Sequence, residues 1–229
     1  MMDWNKLLSS RRYQPGSTIT MFRSHDRSQF QRDYDRLIFS SPFRRLQNKT
    51  QVFPLPGNIF VHNRLTHSLE VASVGRSLGN KIAQFVKTKE ALEHPEILEE
   101  IGTIVSTACL AHDLGNPPFG HSGEEAISYF FTEGEGQYLK KLLTDEEWAD
   151  ISQFEGNANA FRLLTHSFNG RRPGGYTMTF TTLASIVKYP FESKASLKGH
   201  KYGFFQSEKE IYKEVAEELG IIQLNSKPL

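Results

Sequence analysis

From Thr66 to Val86 the apolar residues Val71, Val74, Leu78, Ile82 and Phe85 follow one another at spacings of 3, 4, 4 and 3. That rhythm is one face of an α-helix at 3.6 residues per turn. A helix from His67 to Val86 climbs roughly 28 Å at 1.5 Å per residue, and its apolar face needs a packing partner. The partner follows directly. Pro95 can open a helix carrying Ile97, Ile101, Ile104, Val105 and Ala108 on one stripe, and Gly115, Pro117 and Pro118 end it. A short connection favours antiparallel neighbours, so the start of the first helix and the end of the second are expected at one level. The large apolar stripe is expected to face the core.

The remaining chain also reads as helical. Helices are expected over 26–40, from a Ser122-x-x-Glu125 capping box onward, and over 137–152, 156–168, 181–189 and 207–219. Residues 9–24, with Pro15-Gly16, read as an irregular lead-in, 42–48 as a turn and 170–176 (GRRPGGY) as a loop. The β-branched and aromatic run 50–61, with Pro54, Pro56 and Gly57, suggests a small β-hairpin or extended loop. The fold class expected is all-α with minor β.

The chain has 229 residues, enough for one domain with a real core. With 38% hydrophobic and 23% charged residues it is neither disordered nor fibrous. No apolar run reaches the ~18–20 residues that span a bilayer, and Met1 to Lys6 carries no apolar leader. Cys109 is the one cysteine, so no intramolecular disulfide forms and a reducing, cytoplasmic setting is expected. Net charge is +1, yet the first fifty residues hold ten Lys/Arg against four acids. Two readings stand for that basic segment: guanidinium groups that pair with phosphates, or a solvated face laced with salt bridges.

Of the eight histidines, His25, His94, His166 and His200 read as surface or structural. Three others differ. His112 continues the Ile104/Ala108 stripe, and Asp113 follows it where that helix stops. An imidazole and a carboxylate in an apolar setting need a cation or hydrogen bonds to satisfy them. Antiparallel packing brings His67 to the same level. Two imidazoles and a carboxylate suit Mn, Fe, Ni, Zn or Mg. In HDLGNPPFGHSGEEA, His121 with Glu124 makes a usable acid–base pair near neutral pH. Arg64, three residues before His67, is placed to clamp a phosphate.

The strings Asn63-Arg64-Leu65-Thr66-His67-Ser68-Leu69-Glu70 and His112-Asp113-Leu114-Gly115-Asn116-Pro117-Pro118-Phe119-Gly120-His121 resemble the HD superfamily of metal-dependent phosphohydrolases. More closely, they resemble its deoxyguanosinetriphosphate triphosphohydrolase (dGTPase) branch. The segments 43–53 (FRRLQNKTQVF) and 154–158 (FEGNA) match that branch too. The likeness runs from about residue 20 to the C-terminus. It implies an HD-domain helical bundle in which His67, His112 and Asp113 bind a divalent metal ion, Mg or Mn foremost and otherwise Fe, Ni, Co or Zn. It implies that His121 and Glu124 orient and deprotonate water and that Arg64 holds the α-phosphate. Gln51 would approach the deoxyribose 3′-hydroxyl, and Asn116 would touch phosphate or nearby water. The substrate implied is a deoxynucleoside triphosphate, with a homo-oligomeric enzyme and no membrane partner.

The family's fourth metal ligand, an Asp from a later helix, has no counterpart here. No aspartate follows Gly156, and Asp145 and Asp150 sit in an acidic run that reads as exposed. Residues 1–229 are therefore read as the N-terminal part of a single, longer HD domain, 1–25 being lead-in and 26–229 helical core. Two rivals remain: a single-stranded nucleic-acid-binding protein with a vestigial HD site, and an HD phosphodiesterase or nucleotidase that releases orthophosphate.

Overall fold

The computed structural model describes residues 3–15, 27–49, 63–90, 92, 94–169, 173–196 and 201–221. Among the described residues the fold is built from helices, with no strand; the hairpin expected over 50–61 lies outside them. In chain order the helices are α1 (Trp4–Leu7), α2 (Gln29–Ile38), α3 (Ser41–Arg45), α4 (Arg64–Lys89), α5 (Ile101–Ala111), α6 (His121–Thr132), α7 (Asp145–Ser152), α8 (Gly156–Thr165), α9 (Phe180–Ile186) and α10 (Lys209–Leu219). Among the described residues no helix is long and apolar enough to cross a membrane.

Local chemistry sets these boundaries. Ser28 and Gln31 form a capping box at α2, and Thr144 and Glu147 form one at α7. That cap splits the helix expected over 137–152 into a 3-10 turn at Glu135–Lys141 and α7 proper. The turn expected over 42–48 is α3 followed by a 3-10 turn, Leu46–Asn48. α6 does not start at a Ser122 capping box. Phe119 and Gly120 both take positive φ, and Gly120 is the N-cap, so His121 already lies in the first turn.

α4 and α5 pack antiparallel, Gly75 lying against Cys109 and Gly79 against Gly102. This contact corrects the expected core face. The buried side of α4 is Arg64, Ser68, Ala72, Gly75, Gly79, Ala83 and Val86. The large stripe points outward: Val74 is 61% exposed, Leu78 56%, Ile82 50% and Phe85 59%. The two stripes have nearly the same spacing and differ by one residue, about 100° of rotation. Small residues win because they let the two backbones approach closely: a Cβ on Gly79 would stand 2.9 Å from Gly102 Cα.

The main core is formed by Leu37, Phe43, Leu110, Leu114, Phe161, Leu164, Phe180, Leu183 and Val215, from α2, α3, α5, α8, α9 and α10 and the turn after α5. A second cluster, Leu8, Phe30, Val86, Leu98, Ile101 and Ile104, closes the far end of the α4–α5 pair.

Several N-terminal arginines are spent inside the fold. Arg12 Nη1 pairs with fully buried Asp33 at 2.5 Å and donates to the Thr177 carbonyl. Arg36 donates to the carbonyls of Tyr176 and Thr177, and burial, with Arg12 nearby, pulls its guanidinium down to about 10. Asp33 Oδ2 in turn accepts from Thr179 N and Oγ1 at 2.9 and 2.7 Å. These bonds fasten the N-terminal segment to the stretch that leads into α9, a buried structural role that differs from both the phosphate-binding and the solvated-face readings.

Candidate functional site

The site forms where α4 begins and α5 ends. The His67 and His112 ring centroids are 5.3 Å apart. One ligand atom from each of His67, His112 and Asp113 lies within 4.8 Å of the other two. Ligands of one ion sit about 2.0–2.2 Å from it, so a single cation can reach all three after small side-chain adjustments.

The tautomer of His112 supports that fit. Its Nδ1 is 2.6 Å from the Cys109 carbonyl. A carbonyl only accepts, so Nδ1 carries the proton and Nε2 keeps its lone pair for a metal. Cys109 is packed against Gly75, so the α4–α5 contact and the orientation of His112 are connected through one residue.

Asp113 is buried and held at both oxygens. Oδ2 accepts from Arg64 Nη1 at 2.6 Å and Oδ1 from Asn116 Nδ2 at 2.7 Å. Each carboxylate oxygen has two lone pairs, so ligation and these hydrogen bonds are compatible. Arg64 is buried too, and its Nε has no hydrogen-bond partner among the described residues. Lys49, which no reading of the sequence singled out, donates to the Asn116 carbonyl at 2.7 Å. Burial, with Arg64 and Arg45 close by, pulls Lys49 down from the ordinary lysine range. Lys49 and Arg64 thus bring two cationic side chains against the turn after α5, of which Arg64 is paired with Asp113. Lys49 belongs to the segment 43–53, whose resemblance was its available signal.

His121 and Glu124 form a separate pair one turn apart at the start of α6. His121 Nδ1 is 2.9 Å from Glu124 Oε2. Because a carboxylate only accepts, Nδ1 donates and Nε2 is left free; the His121 side chain is 81% exposed and Glu124's only 11%. The other oxygen, Glu124 Oε1, accepts from the buried Gly156 N–H at 2.9 Å. Arg64 also lies against Gly120, the residue before His121, where a Cβ would meet its Nη2 at 2.8 Å.

The structure therefore brings together His67, His112, Asp113, Arg64 and Asn116, with His121 and Glu124 beside them. Gln51 lies outside the described residues. Asp145 and Asp150 do not join the His–His–Asp group. Asp145 is exposed near Lys194, whereas Asp150, expected to be exposed, is buried and accepts from Gln206 N at 2.6 Å. Tertiary packing against residues 202–206 covers it, a contact that local sequence does not reveal.

Residues 64–190 match the HD domain family, spanning all seven of these residues. The chain is 45% identical to a "Deoxyguanosinetriphosphate triphosphohydrolase-like protein" of Synechocystis, covering 99% of this chain and 53% of the relative. It is 43% identical to a protein of the same name from Pseudomonas aeruginosa, covering 99% and 51%. A Yersinia pestis "Deoxyguanosinetriphosphate triphosphohydrolase" is 35% identical over 87% of this chain and 46% of its own length. The chain spans about half the length of the curated relatives it matches. With the His67–His112–Asp113 cluster inside the matched segment, the chain belongs to the HD-domain family.

Proposed function

We propose that this protein takes part in metal-dependent hydrolysis of deoxynucleoside triphosphates, dGTP favoured, to deoxynucleoside and inorganic triphosphate. The observation that carries the reading is the His67–His112–Asp113 cluster set beside the His121–Glu124 pair. The names of the similar proteins support the substrate class.

In this reading His67, His112 through Nε2 and Asp113 hold a divalent ion, Mg or Mn foremost. The bound ion supplies Lewis acidity toward the α-phosphoryl group and its attacking water. Glu124 fixes the Nδ1–H tautomer of His121, so that Nε2 accepts the water proton. The water oxygen attacks the α-phosphorus, the bond to the 5′-oxygen breaks, and that oxygen leaves with a proton. Arg64, whose Nε has no partner among the described residues, and Lys49 offset charge on the phosphate chain. Asn116 orients Asp113, and Gln51 is assigned to the deoxyribose 3′-hydroxyl. The proposal extends to a cytoplasmic, homo-oligomeric enzyme.

The test is product identity. dNTPs are incubated with the protein and Mg or Mn, and the phosphorus products are resolved by 31P NMR. Tripolyphosphate, absent with His112→Ala, supports the reading. Orthophosphate as the first product assigns a nucleotidase instead. Salt-sensitive binding of single-stranded nucleic acid without turnover assigns a binding protein.

A further inference from the structure

The segment 154–158 (FEGNA) resembles the dGTPase branch, yet the reaction described above gives it no task. Its position in the fold suggests one. Gly156 is the first residue of α8, where backbone N–H groups have no partner within the helix. Its N–H is directed at Glu124 Oε1 at 2.9 Å, and the positive end of a ten-residue helix faces a buried carboxylate.

The approach requires glycine. A Cβ on Gly156 would stand 2.8 Å from Glu124 Oε1 and would overlap Asn116 Oδ1. Asn116 in turn donates to Asp113. Gly115, on the facing turn, is equally confined, since a Cβ there would strike the Gly156 carbonyl and the Ala160 amide nitrogen. Asn159, one turn further along α8, donates to the Gly115 carbonyl at 2.8 Å. Two facing glycines and one amide thus clamp the start of α8 onto the turn between the His-Asp dipeptide and α6.

We propose that Gly156 is a positioning residue: its N–H and its missing side chain hold Glu124 in the orientation that keeps the proton of His121 on Nδ1 and leaves Nε2 free. The proposal rests on the acid–base role given to His121 above. It follows from the chain of contacts Gly156 N–H to Glu124 Oε1, and Glu124 Oε2 to His121 Nδ1. With Glu124 displaced, the neutral imidazole has no acceptor at Nδ1 and distributes its proton over both nitrogens.

The test is the imidazole tautomer of His121 in full-chain protein labelled with 15N-histidine, read from long-range 1H–15N spectra of the neutral ring. Wild type is expected to show mainly the Nδ1–H form. Gly156→Ala is expected to move toward the mixture seen in Glu124→Ala, with the His112 signals unchanged. In turnover at saturating metal, Gly156→Ala lowers kcat by roughly 10–100-fold, a loss within the range for a general-base contribution, and Asn116→Ala, which lacks the side chain that the new Cβ would overlap, keeps the wild-type His121 tautomer. Glu124→Ala/Gly156→Ala is then no slower than Glu124→Ala alone. A wild-type tautomer ratio in Gly156→Ala, or losses that multiply in the double variant, overturns the proposal. Should Gly156→Ala fail to fold, amide exchange in Glu124→Ala decides. Protection of the Gly156 N–H drops on the order of tenfold when its acceptor is removed, and unchanged protection overturns the proposal. Absence of dNTP hydrolysis by wild type defeats the functional reading, while the tautomer and exchange measurements still judge the role of Gly156.

Discussion

Gly75→Ala tests the contact that joins the helix pair to the metal site. A Cβ at position 75 would lie 2.5 Å from Cys109 Sγ and 3.4 Å from Val105 Cγ1. Two effects oppose each other. Alanine in place of glycine inside a helix gains about 1 kcal/mol. Overpacking a tight core contact costs about 1–3 kcal/mol. The net for Gly75→Ala is a loss of about 0–2 kcal/mol. Cys109→Ala alone empties a small volume and costs about 1 kcal/mol. In the double variant the new methyl occupies the space that Sγ vacates, so the overpacking penalty disappears and the helix gain remains. The double variant is therefore near wild type, and the coupling energy is about 1–3 kcal/mol in the favourable direction. Urea denaturation of the four proteins measures it. Metal content is a second readout, because the Cys109 carbonyl accepts the Nδ1–H of His112. Additive losses, with no recovery in the double variant, would refute the packing argument.

Three further outcomes are expected. Leu78→Ala costs less than about 1 kcal/mol, because this side chain is more than half exposed; the 2–5 kcal/mol typical of a core Leu→Ala would show that the large stripe is packed after all. Asp150, buried and pushed up to about 6 from 3.8, contributes stability that is fully present below pH 3.8 and lost as pH rises through 6. Asp150→Asn, measured by denaturation at pH 4–8, removes most of that decline, which amounts to at most about 3 kcal/mol; a slope identical to wild type contradicts this. His121→Ala lowers turnover by roughly 10²–10⁴ with metal retained, whereas His112→Ala loses both, and loss of metal from a folded His121→Ala would make His121 a ligand.

The helix pair and the residues at its end were legible because period and motif both act locally. Gly115, Pro117 and Pro118 mark the end of α5, and the antiparallel return sets His67 at the level of His112, where the rings lie 5.3 Å apart. The inward face itself was misread. Hydrophobicity favours Val74, Leu78, Ile82 and Phe85, but interhelical distance is set by the smallest residues, and Gly75 and Gly79 were the available signal. The contact between His121 and Glu124 was legible at three-residue spacing, although positive φ at Phe119 and Gly120 starts α6 earlier than a serine cap implies. The residues that brace the site, Lys49, Gly156 and Asn159, bond to residues from 32 to 67 positions away in sequence. Contacts of that range leave no periodicity to read. The burial of Asp33 and Asp150 likewise depends on Thr179 and Gln206, which only the tertiary fold brings near.

The central claim, that His67, His112 and Asp113 share one cation, is tested most directly by anomalous scattering from crystals grown with Mn²⁺. A single peak is expected about 2.0–2.2 Å from a ring nitrogen of His67, from His112 Nε2 and from an Asp113 oxygen, with His121 outside the coordination sphere and still paired with Glu124. Protein saturated with Mn²⁺ in solution that shows no peak there, or a peak ligated by His121, would contradict the account.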